Sequence, residues 1–440
     1  MKRLIVSLVV AGVAASSPAP ALAQIADPRG GSSTPVVASQ PSTRAAPVCD
    51  GSMGYSAAFG GRRTFLWRPD WLATIKARLD SDASLRPARG AMLARADAAL
   101  TRASYTVVDK TQAPASGDMH DYMSMGPYWW SDPARPDGKP YIRRDGHMNP
   151  ERATNAFDLS DLEDMSQDVQ ALSLAWYFTG QDRYADKAAA LVRAWFLAPE
   201  TRMNPNFNHG QAVPGRVSGR AEGVIDAARF VRVVESLGLL DVSSALSDEE
   251  RAALRDWFAE LVHWMATSPI GREEKAAANN HGVYYDMLIS EFALYAGMDD
   301  VARAVASRFG EVRLTPQIQP DGSLPQELAR TRSFHYTTWT LTAAFDLAQL
   351  GDCVGVDVWN FRTADGRSLR GAADFMAAWA GRETDWPYPE LDKTETLGFY
   401  EVLQRGAWAW SDPALADKAA MYKERNADSD LNLRLPPYAP

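Results

Sequence analysis

Apolar residues recur at every third or fourth position through most of the chain, which is the pattern of α-helices with one buried face. The segments that show it are Leu162–Tyr177, Tyr184–Phe196, Ala221–Leu237, Glu249–Met265, Tyr284–Tyr295 and Thr338–Leu350. Two further helices are predicted near Pro69–Leu79 and Ala91–Ala103, and strands are not prominent anywhere. The pattern therefore predicts an all-α protein.

Glycines mark the predicted ends of these helices at nearly regular intervals, as expected for left-handed C-terminal caps. Gly180, Gly238, Gly297, Gly351 and Gly406 are separated by 58, 59, 54 and 55 residues. A period near 56 accommodates two helices and two loops, so each repeat is predicted to be a helical hairpin. The more apolar helices precede the more polar ones, which favours an (α/α) toroid of about six to seven hairpins over an open α-solenoid. We expect a cleft at one end of the inner helices.

The two ends of the chain predict a processed, exported protein. Residues 1–23 have the charged start, apolar stretch and Ala21-Leu22-Ala23 cleavage site of a secretory signal peptide, and no other segment is predicted to span a membrane. Residues 24–48 are predicted to be a disordered leader, followed by one domain over 49–440, in the periplasm or secreted. Cys49 and Cys353 are predicted either to pair or to remain two free buried thiols.

Composition narrows the class of partner. The 440 residues carry a formal charge of −9, close to −11 after removal of the signal peptide, which argues against nucleic-acid binding. The 14 Trp, 15 Tyr and 15 Phe exceed what a core needs and suit a sugar-binding cleft. No metal-ligand spacing, nucleotide-binding loop or nucleophile elbow is present, so no metal or cofactor is predicted.

Two clusters of polar and aromatic residues lie in loop-like sequence. The first runs from Asp121 to Trp130 and continues through Pro140–Gly146, where the candidates for a sugar-stacking wall are Tyr128, Trp129, Trp130, Arg143 and Arg144. The second covers 203–220, where the candidate donors to a carboxylate are Asn206, Gln211, Arg216 and Arg220. Rings packed beneath a loop and an ordinary Asn-rich turn are the alternatives.

Two further clusters each enter a predicted inner helix. One holds Asn280 and His281, and the other holds Arg330, Arg332 and Tyr336. His281 and Tyr336 are 55 residues apart, which is one repeat. Residues at matching ends of adjacent inner helices should face one cleft, so these two side chains are predicted to act together.

Such a set of side chains suits β-elimination from a uronic acid polymer. The C5 proton of a uronate is weakly acidic because the adjacent carboxylate is already anionic, so Asn, His and Arg donors must first offset that charge. A base then removes the proton and an acid protonates the departing 4-oxygen. Where both lie on one face of the sugar, Tyr336 can do both, and Arg330 is expected to lower its pKa.

These motifs resemble the alginate lyase superfamily over roughly residues 118–350, most closely polysaccharide lyase family 38 and more distantly the family 5 mannuronate lyases. The resemblance implies a toroid that cleaves polyuronates by elimination without a required metal. It implies Tyr336 as base and acid, assisted by His281 and Arg330. Asn280 matches the carboxylate-neutralising Asn of family 5, whereas the family 38 pattern points to Asn206 or Asn204. Alginate is the expected substrate, with glucuronan or another polyuronate as the alternative.

A polyanionic substrate requires a locally positive cleft, because the chain as a whole is acidic. We therefore expect six arginines of the four clusters to converge: Arg143, Arg144, Arg216, Arg220, Arg330 and Arg332. A glycoside hydrolase on the same toroid is a second hypothesis, with catalytic carboxylates chosen from Glu327, Asp286 and Asp321. A non-catalytic glycan-binding solenoid is the third.

Overall fold

The computed structural model describes residues 47–391 and 394–439. The signal peptide and all but the last two residues of the leader lie outside these ranges. The principal helices are α1 (Pro69–Arg78), α2 (Arg86–Thr101), α3 (Leu159–Thr179), α4 (Asp182–Val192), α5 (Arg229–Leu240), α6 (Asp248–Thr267), α7 (Pro269–Ala276), α8 (Asn280–Tyr295), α9 (Asp299–Phe309), α10 (Ser333–Cys353), α11 (Leu369–Ala377), α12 (Leu397–Trp410) and α13 (Pro413–Lys423).

The helices form two concentric layers, which confirms the predicted all-α toroid. The inner helices are α3, α5, α8, α10 and α12, and α8 is the most completely buried of them because 15 of its 16 residues are buried. Along the chain, α3 packs on α5, α5 on α8, α8 on α10, and α10 on α12. The outer helices α4, α6, α9, α11 and α13 cover this ring, and α2 packs against α3.

At three of the five repeating glycines, the structure shows a role different from the C-terminal cap that the sequence predicts. Gly180 is a left-handed C-cap and Gly297 follows α8 with φ +81°, as expected. Gly238, Gly351 and Gly406 lie inside α5, α10 and α12, so predicting them as caps was wrong. A Cβ at Gly238 would meet the Arg63 carbonyl oxygen at 2.4 Å. Gly238 therefore allows the backbone of Arg63 to pack closely against the inner helix α5.

The strands of the described residues are short and belong to the loops at one end of the toroid. Strand β1 (Met123–Met125) pairs in parallel with β4 (His209–Ala212), and β2 (Trp129–Trp130) pairs with β3 (Ile142–Arg143) in antiparallel fashion. These ladders join the first two polar clusters of the sequence into one layer. The layer lies in the loops that precede α3 and α5.

A disulfide joins Cys49 to Cys353, across 304 positions of the chain. It resolves the alternative that the sequence left open and ties the start of the described chain to the end of α10. The buried core extends from Cys49 to Leu435. In the part of the chain that the structure describes, no helix combines the length and apolarity that a membrane crossing requires.

Candidate active site

The starts of α8 and α10 lie side by side, as the repeat predicts. Tyr284 and Trp339 are also 55 residues apart, and their rings are in contact at a centroid separation of 4.3 Å. The Tyr284 hydroxyl lies 3.4 Å from the Trp339 carbonyl oxygen. His281 and Tyr336 each lie three residues earlier, so they occupy corresponding first turns of adjacent inner helices.

Tyr336 has two close neighbours that define its surroundings. Its hydroxyl oxygen lies 2.6 Å from the hydroxyl oxygen of Tyr128. The guanidinium carbon of Arg330 lies 3.8 Å from the centroid of the Tyr336 ring. Tyr336 is buried, whereas Tyr128 is only partly buried. The first and fourth clusters therefore meet at one phenol.

The pKa of Tyr336 is raised, contrary to the expectation that Arg330 lowers it. Burial is the largest cause, and the neighbouring Tyr128 raises it further. Arg330 does act in the expected direction, but its positive charge is outweighed by the cost of placing a phenolate in a buried site. Tyr336 therefore carries its proton at neutral pH in this structure.

Arg330 is itself held in place by Asp145. Arg330 donates to Asp145 at 3.1 Å, Thr331 donates at 3.0 Å, and Arg143 pairs with the same carboxylate at 2.6 Å. Burial works against ionisation of Asp145, but the hydrogen bonds from Arg330 and Thr331 and the positive charges of Arg330 and Arg143 together outweigh burial and lower its pKa. Asp145 therefore stays ionised and holds Arg330 against the Tyr336 ring.

His281 and Asn280 are each bound by a buried glutamate. The Nδ1 atom of His281 lies 2.7 Å from Oε1 of Glu274, which is 2% exposed. Glu327 accepts from the backbone N–H and the side-chain amide of Asn280, both at 2.8 Å. Burial raises the pKa of both glutamates, and their hydrogen-bonded partners oppose that rise. His281 keeps 17% of its side chain exposed, but Asn280 is completely buried.

The tryptophans predicted as a sugar-stacking wall are partly exposed and lie beneath arginines. The Arg216 guanidinium lies 5.2 Å from the Trp129 ring, and that of Arg144 lies 5.4 Å from the Trp130 ring. Neither arginine forms an ion pair with any residue of the described ranges. Both positive charges therefore remain available to a ligand.

Gln211 and Arg220 complete this side of the site. Arg220 donates to the Gln211 side chain at 2.6 Å and to Glu222 at 2.7 Å. A Cβ at Gly126 would lie 3.3 Å from Nη2 of Arg220 and 2.6 Å from the Trp129 ring. The absence of a side chain at Gly126 therefore lets Arg220 and Trp129 pack against the backbone there. Gln211 has φ +48°, which turns the chain at the strand β4.

The side chains of two predicted residues are engaged by acidic partners. Asn206 donates to Asp121 at 3.0 Å, beside Asn204, which donates to the same carboxylate at 2.9 Å. Arg332 pairs with Glu395 at 3.3 Å. Five of the six arginines thus lie around the Trp129, Trp130 and Asp145 region, while the described contact of Arg332 is with the segment that leads into α12.

The carboxylates of the hydrolase hypothesis are not arranged as a catalytic pair. Glu327 binds Asn280 as described above, and Asp286 is fully buried and accepts from Arg313 at 2.7 Å. Asp321 is exposed and accepts from the backbone N–H of Ser323. These acids hold backbone and side chains in place, and they do not face one another across a groove.

Sequence reasoning missed Asp145 and Glu274 as parts of the site. Asp145 follows Arg143 and Arg144 directly, and Glu274 lies seven residues before His281. Their positions near candidate residues were the available signal, but acids are common on exposed loops and helices. Among the residues that the structure describes, no group of three or more His, Cys, Asp and Glu is placed to hold a metal ion.

Comparison with known proteins gives a consistent result. The family model described as alginate lyase matches residues 106–386. An alginate lyase from Bacteroides ovatus is similar with a TM-score of 0.81 and 38% identity, over 85% of this chain and 99% of that chain. No protein with a curated description matches significantly.

More distant solved structures show the same fold. Alginate lyase A1-III from Sphingomonas species A1 is similar with a TM-score of 0.53 and 16% identity, over 92% of this chain and 100% of that chain. A histidine-to-alanine variant of alginate lyase A1-III complexed with a tetrasaccharide has a TM-score of 0.51 and 16% identity, over 84% of this chain and 94% of that chain. At this identity the likeness concerns the fold alone.

Proposed function

Since the chain belongs to the alginate lyase family and is therefore a polysaccharide lyase, we propose that it cleaves mannuronate-rich alginate by β-elimination. The products are chains that end in a 4,5-unsaturated uronate. The observation that carries this proposal is the arrangement of Tyr336 between the Tyr128 hydroxyl and the Arg330 guanidinium. The signal peptide predicted at residues 1–23 supports action in the periplasm or outside the cell.

Substrate binding uses the wall of tryptophans. Trp129 and Trp130 offer ring faces to the sugars, and Arg216 and Arg144 above them attract the carboxylates of a polyuronate. Arg220 and Gln211 add donors beside Trp129. These guanidinium groups supply the local positive charge that offsets the negative charge of the whole chain.

His281 and Arg330 mask the carboxylate at the reacting sugar. Both are partly exposed and both are held by an acidic partner, Glu274 and Asp145 respectively. Preorganised donors of this kind stabilise the carbanion-like state, and loss of one typically costs about 10²–10³ in rate. Because Asn280 is completely buried, it contributes by fixing the start of α8 through Glu327.

Tyr336 moves the proton. As it attacks the C5 hydrogen, the phenol passes its own proton to the Tyr128 oxygen, and the partly exposed Tyr128 connects to solvent. The C5–H electron pair forms the C4–C5 double bond while the C4–O4 bond breaks. The proton taken from C5 then passes from Tyr336 to the departing O4 oxygen, and the Tyr336 phenolate that remains recovers a proton from solvent through Tyr128. One residue can serve as both base and acid because the C5 hydrogen and the O4 oxygen lie on the same face of a mannuronate.

Glucuronan is the second candidate substrate, since nothing in the charge pattern around Trp129 discriminates between uronates. The likeness to polysaccharide lyase family 38 also stays a prediction. The hydrolase hypothesis has less support, because its candidate carboxylates are buried or engaged elsewhere.

The test is the near-ultraviolet absorbance of the conjugated double bond on mannuronate, guluronate and glucuronan polymers. We expect absorbance to rise with mannuronate, and Tyr336→Phe to abolish the rise while binding of the polymer persists. Tyr438→Phe is the matched control, because Tyr438 packs on Trp408 near the opposite end of α12. New reducing ends without absorbance would show hydrolysis, and near-normal elimination by Tyr336→Phe would contradict the assignment of the base.

A further inference from the structure

A cavity of about 480 Å³ lies inside the ring of inner helices. We call it the shaft. Its wall combines rings and charged groups, among them Trp67, Tyr284, Trp339, Arg232, Asp346 and Arg405. A structural core would fill this space with apolar side chains, whereas ligand cavities of about 300–1,000 Å³ combine rings with a few placed polar groups.

One wall of the shaft leads toward Tyr336, because the ring of Trp339, which lines the shaft, lies 6.2 Å from the Tyr336 ring. His335, Trp339, Thr342 and Asp346 follow one another along a single face of α10, and all four are partly accessible. The His335 ring contacts the Tyr336 ring at 5.4 Å and stacks on Trp339 at 6.0 Å. The accessible stripe therefore leads from the reacting phenol down into the shaft.

The other end of the shaft is closed by the segment 65–67. Glu235 accepts from the backbone N–H groups of Phe65 at 2.9 Å and Trp67 at 2.7 Å. Gln349 donates to the carbonyl oxygens of Phe65 at 3.1 Å and Leu66 at 2.8 Å. Leu66 and Trp67 also line the shaft, so its floor is a segment fixed at four backbone atoms.

Charged groups in the shaft are held in pairs but keep hydrogen-bonding capacity. Arg232 donates to Glu163 at 2.7 Å, and Arg405 donates to Asp346. Arg232 is 37% exposed on its side chain, and within the described ranges its hydrogen bonds use only Nη1. The guanidinium and carboxylate groups of these pairs can bind sugar hydroxyls, and the rings of the shaft can pack on sugar faces. Arg232 can also bind a carboxylate through its Nε and Nη2 atoms.

We infer that the shaft binds the end of a polyuronate chain, to a depth of one or two sugar residues below Tyr336. This inference rests on the proposed function. Because the floor is closed, the chain cannot pass through, and the distance from floor to phenol determines which bond reacts. Elimination therefore releases short products from chain ends, and internal bonds of long chains are cleaved rarely.

Product sizes at low conversion of polymannuronate test the inference on the wild-type enzyme. We expect unsaturated products of one to three residues from the first sample, together with polymer of nearly unchanged length. A broad ladder of intermediate sizes with a rapid fall in polymer length would overturn the inference but leave the elimination activity in place. Absence of any absorbing product would instead contradict the proposed function itself.

Two variants locate the effect in the shaft. Thr342→Phe places a ring inside it, because Thr342 lines the shaft. The hydroxyl that is lost donates to the carbonyl oxygens of Thr338 and Trp339 within α10. We expect it to lower kcat/KM on the polymer at least tenfold while circular dichroism stays unchanged. Arg232→Gln, which adds no bulk, should raise KM on the order of tenfold with little change in kcat. Arg183→Gln on the outer helix α4 is the matched control.

Wild-type kcat/KM and product sizes in both Thr342→Phe and Arg232→Gln would overturn the inference. If Thr342→Phe does not fold, the KM of Arg232→Gln decides the matter alone.

Discussion

The hydroxyl oxygens of Tyr128 and Tyr336 lie 2.6 Å apart, although 208 positions separate the two residues in the chain. Tyr128 belongs to the loop beside β2, and Tyr336 belongs to the first turn of α10. This contact joins the loop layer to the inner helices at the atom that the proposed elimination uses. It also gives the buried phenol a partner that reaches solvent.

Tyr128→Phe should lower kcat by about tenfold or more and leave KM within about threefold of wild type. The ring is retained, so the surface offered to the sugar changes little, but the acceptor for the Tyr336 proton is lost. Steady-state kinetics on polymannuronate measures the effects on kcat and KM separately. Tyr141→Phe is the control, since it removes a loop hydroxyl that is bonded to Glu151. A change in KM alone would show that Tyr128 only contacts substrate.

Arg330→Gln should move the rise of activity with pH to higher pH. Arg330 lowers the pKa of Tyr336 against the effect of burial, so removal of its charge raises that pKa further. A smaller fraction of Tyr336 then loses its proton at any given pH, and the rate at neutral pH falls. The pH dependence of kcat/KM for wild type and variant measures this shift. Arg332→Gln is the matched control because Arg332 pairs with Glu395, and an equal shift in both variants would contradict the argument.

Glu274→Ala should reduce kcat by about 100-fold, whereas Glu274→Gln should retain most of the activity. A carbonyl oxygen of Gln can still accept the Nδ1 hydrogen of His281, and this bond fixes which ring nitrogen carries the proton. Rescue by Gln separates this positioning role from a general loss of fold. Equal losses in both variants, with unchanged thermal unfolding, would show that the negative charge of Glu274 matters instead.

Cys49→Ser should lower the free energy of unfolding by about 2–5 kcal/mol, because the disulfide restricts the unfolded chain over a very long loop. Denaturant unfolding with absorbance-based activity in parallel measures the effect. Cys353→Ser and the double variant should lose the same amount, since each removes one and the same bond. Additive losses would indicate that the two side chains stabilise the fold independently.

The local pattern of apolar residues was sufficient to predict the architecture of this protein. The spacing of apolar residues is set by the geometry of the helix itself, so segments such as Tyr284–Tyr295 could be identified without knowledge of their neighbours. The 55-residue interval between His281 and Tyr336 likewise follows from the hairpin repeat. The contact between Tyr284 and Trp339 confirms this register.

Tertiary structure decided the partners and the protonation of the site. Asp145 meets Arg330 across 185 positions, and Arg332, only two residues further on, meets Glu395 instead. Adjacent side chains leave a chain in different directions, and which carboxylate each reaches depends on how distant loops pack. The raised pKa of Tyr336 has the same origin, because burial is a property of the assembled toroid and outweighs a neighbouring charge that the sequence alone reveals.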